Sequence, residues 1–344
     1  MEAPAMSQES SALPPLADGY ERGPLPSRPR VLFMGTPDFA VPALRALAAA
    51  DVELVGVVSQ PDRPKGRGKK LARTPVAAVA DELGLPVFQW ARLNQESYDA
   101  LSALEPELSV VIAYGKILPR RYLALPRWGC INLHGSLLPA YRGAAPIQWS
   151  VISRERETGV SVMRLDEGMD TGPVALTRST NIGADETSGQ LYERLSALAA
   201  EALIEALSLW RRPEGLDFVE QDHERASHAP MLKKEDGLLD WSRDSESLAA
   251  LIRGVSPWPG AQVPFAEGSL KVHEGVAIAE ERLSEAERAA QAGELISLEG
   301  AGPVVRCAQG ALRLLRVQRP NRGAVSGADF MRGYASLKLG APLS

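Results

Sequence analysis

The segment Arg30–Pro37 reads RVLFMGTP. It opens as a mostly apolar strand, and Thr36-Pro37 then offers a cap and a first-turn proline for a helix running through Ala50. The alternation continues outward from there. Val52–Gln60 reads as a second strand, a helix follows Thr74-Pro75, and Val87–Gln89 is a short strand. A helix near Ser97–Leu104 leads to a strand at Leu108–Ala113, and further strands fall at Cys130–His134 and Thr158–Arg164. A helix over Ser188–Leu209 carries apolar residues at Leu191, Leu195, Leu198, Ala202 and Leu209. This rhythm predicts an α/β fold: a doubly wound, mostly parallel sheet with helices on both faces, binding ligands beyond the carboxyl ends of its strands.

The pattern changes after Arg211-Arg212-Pro213. A polar linker, a helix at Ser245–Arg253 and short β-rich runs near Leu270–Ile278, Glu294–Leu298, Val304–Cys307 and Leu312–Gln318 suggest a small barrel. Trp258, between Pro257 and Pro259, is expected in the core of that domain. Residues 1–28 are rich in Pro, Ser, Ala and Glu without a sustained apolar run, so a flexible tail is expected there. The resulting division is a tail over 1–28, a catalytic domain over 29–210, a linker over 211–225 and a barrel-like domain over 226–344.

The chain has 344 residues, 45% hydrophobic and 24% charged, as in ordinary globular proteins. A formal charge of -5 gives no global attraction to nucleic acid, so any such binding has to come from a local basic patch. Two cysteines support neither a disulfide framework nor a metal cluster and fit a reducing cytoplasm. No segment is long and apolar enough to predict a membrane span.

The chemistry concentrates in NLHGSLLPAYRG, Asn132–Gly143, and GMDTG, Gly168–Gly172. Gly and Pro end the strand after His134, which puts Asn132 and His134 at its carboxyl end and, with a period of two, on one face. An amide, an imidazole and the Asp170 carboxylate make a set that can hold a carbonyl oxygen, donate to a developing oxyanion and orient the donor. An inward Asp170 would favour a protonated His134. The competing readings are a satisfied core histidine, an Asn132 that caps the loop, and an Asp170 that bonds only its own turn. The pairing of the two motifs favours catalysis. Cys130, on the apolar strand, reads as a small buried hydrophobe. Ser136–Pro139 is either a plain turn or a wall for a flat ring.

Arg63, Lys65, Arg67, Lys69, Lys70 and Arg73 put six cations and no acid into Arg63–Arg73. Charge runs are usually solvated surface. On the sheet edge that carries the proposed site, in an otherwise acidic protein, phosphate binding explains this one better. The first strand runs into GTPDF and not GxGxxG, which argues against a nicotinamide cofactor.

GTPDFAVPAL, QPDRPKGRGKKL, VVIAYGKILP, NLHGSLLPAYRGAAPIQW and LDEGMDTG, in this order, resemble the methionyl-tRNA formyltransferase family. The similarity covers almost everything after Arg30, and extends more weakly through KKEDGLLDW, IRGVSPWPGA and SGADFMRGY, while HAPMLKK departs from the pattern. It implies a Rossmann-like formyltransferase domain followed by a small OB-like β-barrel that binds tRNA. It also implies formylation of the amino group of methionyl initiator tRNA, with 10-formyltetrahydrofolate as co-substrate and without a metal, a membrane or an obligate protein partner. By the same resemblance Asn132, His134 and Asp170 are the catalytic trio, Ser136, Leu137, Leu138 and Pro139 the folate stretch, and Arg67, Lys69 and Lys70 the tRNA contact. Met231 stands where many relatives carry a basic residue, and the tail has no counterpart in the usual pattern. Transfer to a small amine, such as a sugar nucleotide or glycinamide ribonucleotide, is the enzymatic alternative; a catalytically silent RNA-binding protein is the non-enzymatic one.

Overall fold

A computed structural model describes residues 20, 21, 23–65, 70–266 and 268–343. The chain divides into two compact units. The first holds the described residues up to His134 together with Val160–Arg178 and Ser196–His223; the second holds Gly135–Gly159, Ser179–Leu195 and the chain from Glu224 onward.

The elements through the sheet run in chain order as β1 Arg30–Gly35, α1 Val41–Ala48, β2 Glu53–Val58, β3 Arg63–Lys65, β4 Lys70–Ala72, α2 Pro75–Glu82 and β5 Val87–Phe88. They continue as α3 Gln95–Ser102, β6 Leu108–Ile112, α4 Arg120–Leu123, β7 Cys130–His134, α5 Pro146–Ile152, β8 Glu157–Arg164, β9 Val174–Asn181 and α6 Ser188–Trp210. Seven strands form one sheet in the order β5-β2-β1-β6-β7-β8-β9. β1 pairs in parallel with β2 and β6, β2 with β5, and β6 with β7, while β8 runs antiparallel to β7. The chain builds outward from β1 to β5 and returns to β6 beside β1. That reversal puts the carboxyl ends of β1, β6 and β7 along one edge, where such sheets bind ligands.

Thr36 does not cap a helix as its position before Pro37 suggests. A 3-10 turn at Asp38–Ala40 intervenes before α1. Thr36 Oγ1 donates to Tyr114 O at 2.9 Å and accepts from Gln60 N at 3.3 Å, tying together the ends of β1, β2 and β6. Thr74 does cap its helix, accepting from Ala77 N at 3.3 Å. In α6 the buried face holds Leu191, Leu195, Ala199, Ala202, Leu203, Ala206 and Trp210, with Leu198 and Leu209 on its half-buried shoulders.

Of the expected tail over 1–28, residues 1–19 and 22 lie outside the described ones. Tyr20 and Leu25 are buried, Tyr20 Oη donates to Leu123 O, and Leu25 N donates to Trp210 O. The Arg164 guanidinium stacks on Phe218 at 3.9 Å, Tyr20 at 5.0 Å and Trp210 at 5.8 Å, so one cation gathers three aromatic rings. Burial holds the Tyr20 hydroxyl well above the usual phenol range.

The second unit carries α7 Ser245–Gly254, β10 Ala261–Phe265, β11 Gly268–Ile278, α8 Glu285–Ala289, β12 Leu295–Ser297, β13 Val304–Arg306, β14 Ala311–Gln318, β15 Val325–Ser326 and α9 Gly327–Gly333. Its strands pair antiparallel in the order β10-β11-β14-β13-β12, with β15 on β14. Asp244 caps α7 by accepting from Ser247 N, and Leu248, Leu251 and Ile252 join Val263, Leu270, Leu312 and Leu314 in the core. Trp258 is not part of that core: it is 54% exposed, at the tip of a turn that leaves the interior at Val255 and re-enters it at Ala261. Among the described residues no helix is long and apolar enough to cross a membrane.

Candidate active site

β7 is fixed on both sides. Asn132 lies opposite Val111 of β6 and Met163 of β8, and His134 lies opposite Ser161. The alternation along the strand puts Asn132 and His134 on one face. Asn132 is half-buried, and His134 is 6% exposed.

Three carboxylates follow β8, and the structure separates their tasks. Asp166 makes the turn: its Oδ1 accepts from Gly168 N at 3.0 Å and from Thr171 Oγ1 at 2.7 Å. Glu167 lies 3.4 Å from Arg120 Nε. Asp170 lies with Oδ2 3.7 Å from His134 Nδ1, its side chain 15% exposed. Asp166 thus makes bonds of the kind expected of an aspartate in such a turn.

The backbone shows what it takes to aim that carboxylate. Asp170 itself adopts φ 55°, a left-handed conformation that costs an L-residue about 1–2 kcal/mol. What the loop needs from Gly172 is room, since a Cβ there would lie 2.0 Å from Arg164 O. Strain of this kind persists where surrounding contacts over-determine the chain. Gln221 provides two of them, donating Nε2 to Asp170 O at 2.9 Å and to Gly172 O at 2.6 Å, while Val219 and Val174 exchange backbone bonds. Gln221 falls in the stretch read as linker, and no pattern near it signals its role.

Cys130 is 1% exposed, and burial pushes its thiol up to about 12, as expected of a structural cysteine. In the second unit, Ser136 is buried and its Oγ donates to Ala140 O at 2.6 Å, while Leu137, Leu138 and Pro139 are half-buried.

The basic run is a hairpin in its described part. β3 and β4 pair antiparallel, with Arg63 opposite Ala72, Pro64 opposite Leu71 and Lys65 opposite Lys70. Arg67 and Lys69 lie outside the described residues. Arg73 is paired: it bonds both Asp81 oxygens at 2.7 and 2.8 Å and lies 3.6 Å from Asp62. The hydrogen bond from Arg73 holds the Asp81 carboxyl below its usual range. No acid interrupts the run in sequence, but the fold brings one from each side.

Residues 29–207 match the family model described as formyl transferase, and residues 231–335 match that of its C-terminal domain. The chain belongs to the formyl transferase family. It is 45% identical to a methionyl-tRNA formyltransferase of Citrifermentans bemidjiense, over 89% of this chain and 93% of that one. It is 52% identical to one of Desulfotalea psychrophila, over 67% and 72%. Among solved structures it resembles an N-formyltransferase from Helicobacter canadensis in complex with folinic acid and dTDP-3-aminofucose, with a TM-score of 0.60 and 14% identity over 83% and 98% of the two chains. At that identity the likeness speaks for the fold alone. Asn132, His134 and Asp170 all lie within the stretch matched by the formyl transferase model.

Proposed function

We propose that this formyl transferase moves the formyl group of 10-formyltetrahydrofolate to the free amino group of methionyl initiator tRNA, for translation initiation in the cytoplasm. The observation that carries the chemistry is His134 at the carboxyl end of β7, with Asp170 3.7 Å from its Nδ1. The names of relatives that match nearly the whole chain support the acceptor.

In this mechanism the neutral amine attacks the formyl carbon and forms a C–N bond, and the carbonyl oxygen takes up negative charge. His134 Nε2 and the Asn132 amide donate to that oxyanion. With Nδ1 turned to Asp170, the carboxylate orients the ring so that Nε2 is the nitrogen that would donate. Collapse of the tetrahedral intermediate restores the carbonyl, breaks the bond to the folate nitrogen, and leaves the amine's proton to be relayed to that nitrogen through water. The 3.7 Å contact is longer than a closed hydrogen bond of about 2.7–3.2 Å. Catalytic contacts of this type tighten when substrates enter.

Ser136, Leu137, Leu138 and Pro139 would form the wall for the folate ring, following His134 directly in the chain. Arg67, Lys69 and Lys70 would meet the phosphates of the acceptor end, and residues 226–344 would add a second tRNA-binding surface. The test is incubation of the protein with 10-formyltetrahydrofolate and either methionylated initiator tRNA or small amines, followed by folate absorbance. Turnover with the small amines and none with the tRNA would overturn the proposed acceptor.

A further inference from the structure

HAPMLKK takes no part in the chemistry above, yet the chain at its start is built into the loop that follows Pro139. In the second unit that loop passes through Tyr141 at φ 60° and Gly143 at φ 120°, two left-handed conformations within three residues. The segment Ser227–Ala229 runs beside it. Arg142 N donates to Ser227 O at 2.8 Å, Ala229 N to Arg142 O at 2.7 Å, and Ala145 N to Ala229 O at 3.1 Å; Arg142 and His228 form a parallel bridge. Tyr141 N, at the strained position, donates to the Ser227 hydroxyl at 2.9 Å.

The approach is close enough to dictate a residue. A Cβ on Gly143 would lie 2.7 Å from Ala229 O, at a φ that L side chains rarely adopt. Ser227 and His228 are exposed, so this pairing contributes little apolar burial. What it does is fix the course of the chain immediately after Ser136–Pro139, where strained backbone needs outside support.

We propose that Ser227, with the Ser227–Ala229 segment, is a positioning element for the formyl-donor loop Ser136–Pro139. The inference rests on reading that loop as the folate wall. Displacing the segment releases Tyr141 and Gly143 from their conformations and lets the loop relax away from its binding shape, so the effect falls on donor affinity.

The test titrates 5-formyltetrahydrofolate, a stable stand-in for the donor, into the full-length protein and its Ser227→Ala, Ser227→Thr, Gly143→Ala and Leu138→Asp variants. Ser227→Ala should weaken binding about 3- to 10-fold, the range that one lost hydrogen bond gives, and Ser227→Thr, which keeps the hydroxyl, should restore most of it. Gly143→Ala should weaken binding further. In turnover with methionyl-tRNA the loss should fall on KM for the donor, with KM for tRNA unmoved. Wild-type affinity in Ser227→Ala while Leu138→Asp binds poorly would overturn the positioning role and leave the folate wall standing. Wild-type affinity in a folded Leu138→Asp would remove the folate wall, and this inference with it. A Ser227→Ala loss spread equally over both KM values and accompanied by a lower melting temperature would show a merely structural pairing, and would also overturn it.

Discussion

The loop Asp166–Gly172 and the hairpin of β3 and β4 are both short, polar and glycine-bearing, and they are built on opposite principles. In the loop each carboxylate has its own neighbour: Thr171 for Asp166, Arg120 for Glu167 and His134 for Asp170, with Gln221 holding the backbone. In the hairpin Arg63 and Pro64 are exposed, and Leu71 is 73% exposed. Chemistry on a carbonyl needs donors held within about half an ångström of where charge develops. Attraction of a polyanion acts through released counterions and tolerates loose placement. The two segments therefore call for different readouts: turnover for single substitutions in the loop, and salt dependence for charge removal in the hairpin.

The comparison breaks first at Asp170. Asp170→Asn keeps the shape and removes the charge, so turnover should fall about 100- to 1,000-fold with folate binding retained. His134→Ala should fall comparably, and the double variant should cost far less than the product of the two losses, because the pair acts as a unit. Single-turnover rates of the three purified variants check this. Multiplicative losses would mean that Asp170 does not work through His134.

Gln221→Ala sharpens the same side of the comparison without touching the reacting groups. It deletes two donors to the backbone that carries Asp170. The left-handed Asp170 then loses part of its support, and turnover should drop on the order of 10- to 100-fold through misplacement. Unchanged turnover in the folded variant would show that β8 and Asp166 position the carboxylate unaided.

On the other side, Arg67→Ala with Lys69→Ala should raise KM for tRNA and flatten its salt dependence, by about 0.7 to 0.9 in log–log slope for each phosphate contact removed. Folate affinity should not change. Parallel salt lines of equal height for wild type and variant would reassign tRNA binding to residues 226–344.

These experiments also follow the line between what the sequence disclosed and what it withheld. The strands β1, β6 and β7 were legible because burial on both faces writes itself as apolar runs. β9 was not, since an edge strand reading VALTRSTN is mostly half-buried or exposed and carries no apolar signature. Asn132 and His134 stood out through their spacing and the Gly/Pro loop after them. Gln221 could not, because a lone glutamine in a polar stretch acquires its role only when the fold carries it to the Asp170 loop. Thr36 read as a helix cap, but its hydroxyl bonds the carbonyl of Tyr114, far along the chain, instead. Arg73 shows the converse limit: its place in a basic run suggested a phosphate ligand, and its partner Asp81 arrives on α2.

Arg73 supplies the smallest expected effect and the cleanest internal control for the hairpin. Arg73→Ala removes as much formal charge as Arg67→Ala, yet Arg73 already faces Asp81 and Asp62. A cation neutralised within the protein has few counterions to release, so the slope of tRNA affinity against salt should stay at the wild-type value. The cost should appear in stability instead, and only in part of the pH range. The hydrogen bond from Arg73 depresses the Asp81 carboxyl below the ordinary carboxylate range. A carboxyl depressed on folding binds its proton more readily in the unfolded chain, so its contribution is present above the unfolded pKa and is lost as pH falls through the folded one. The melting temperatures of wild type and Arg73→Ala should therefore differ slightly at neutral pH and converge below the ordinary carboxylate range. A flattened salt slope in Arg73→Ala, with no such convergence, would return Arg73 to the phosphate-binding set and make the hairpin's charge continuous through Arg73.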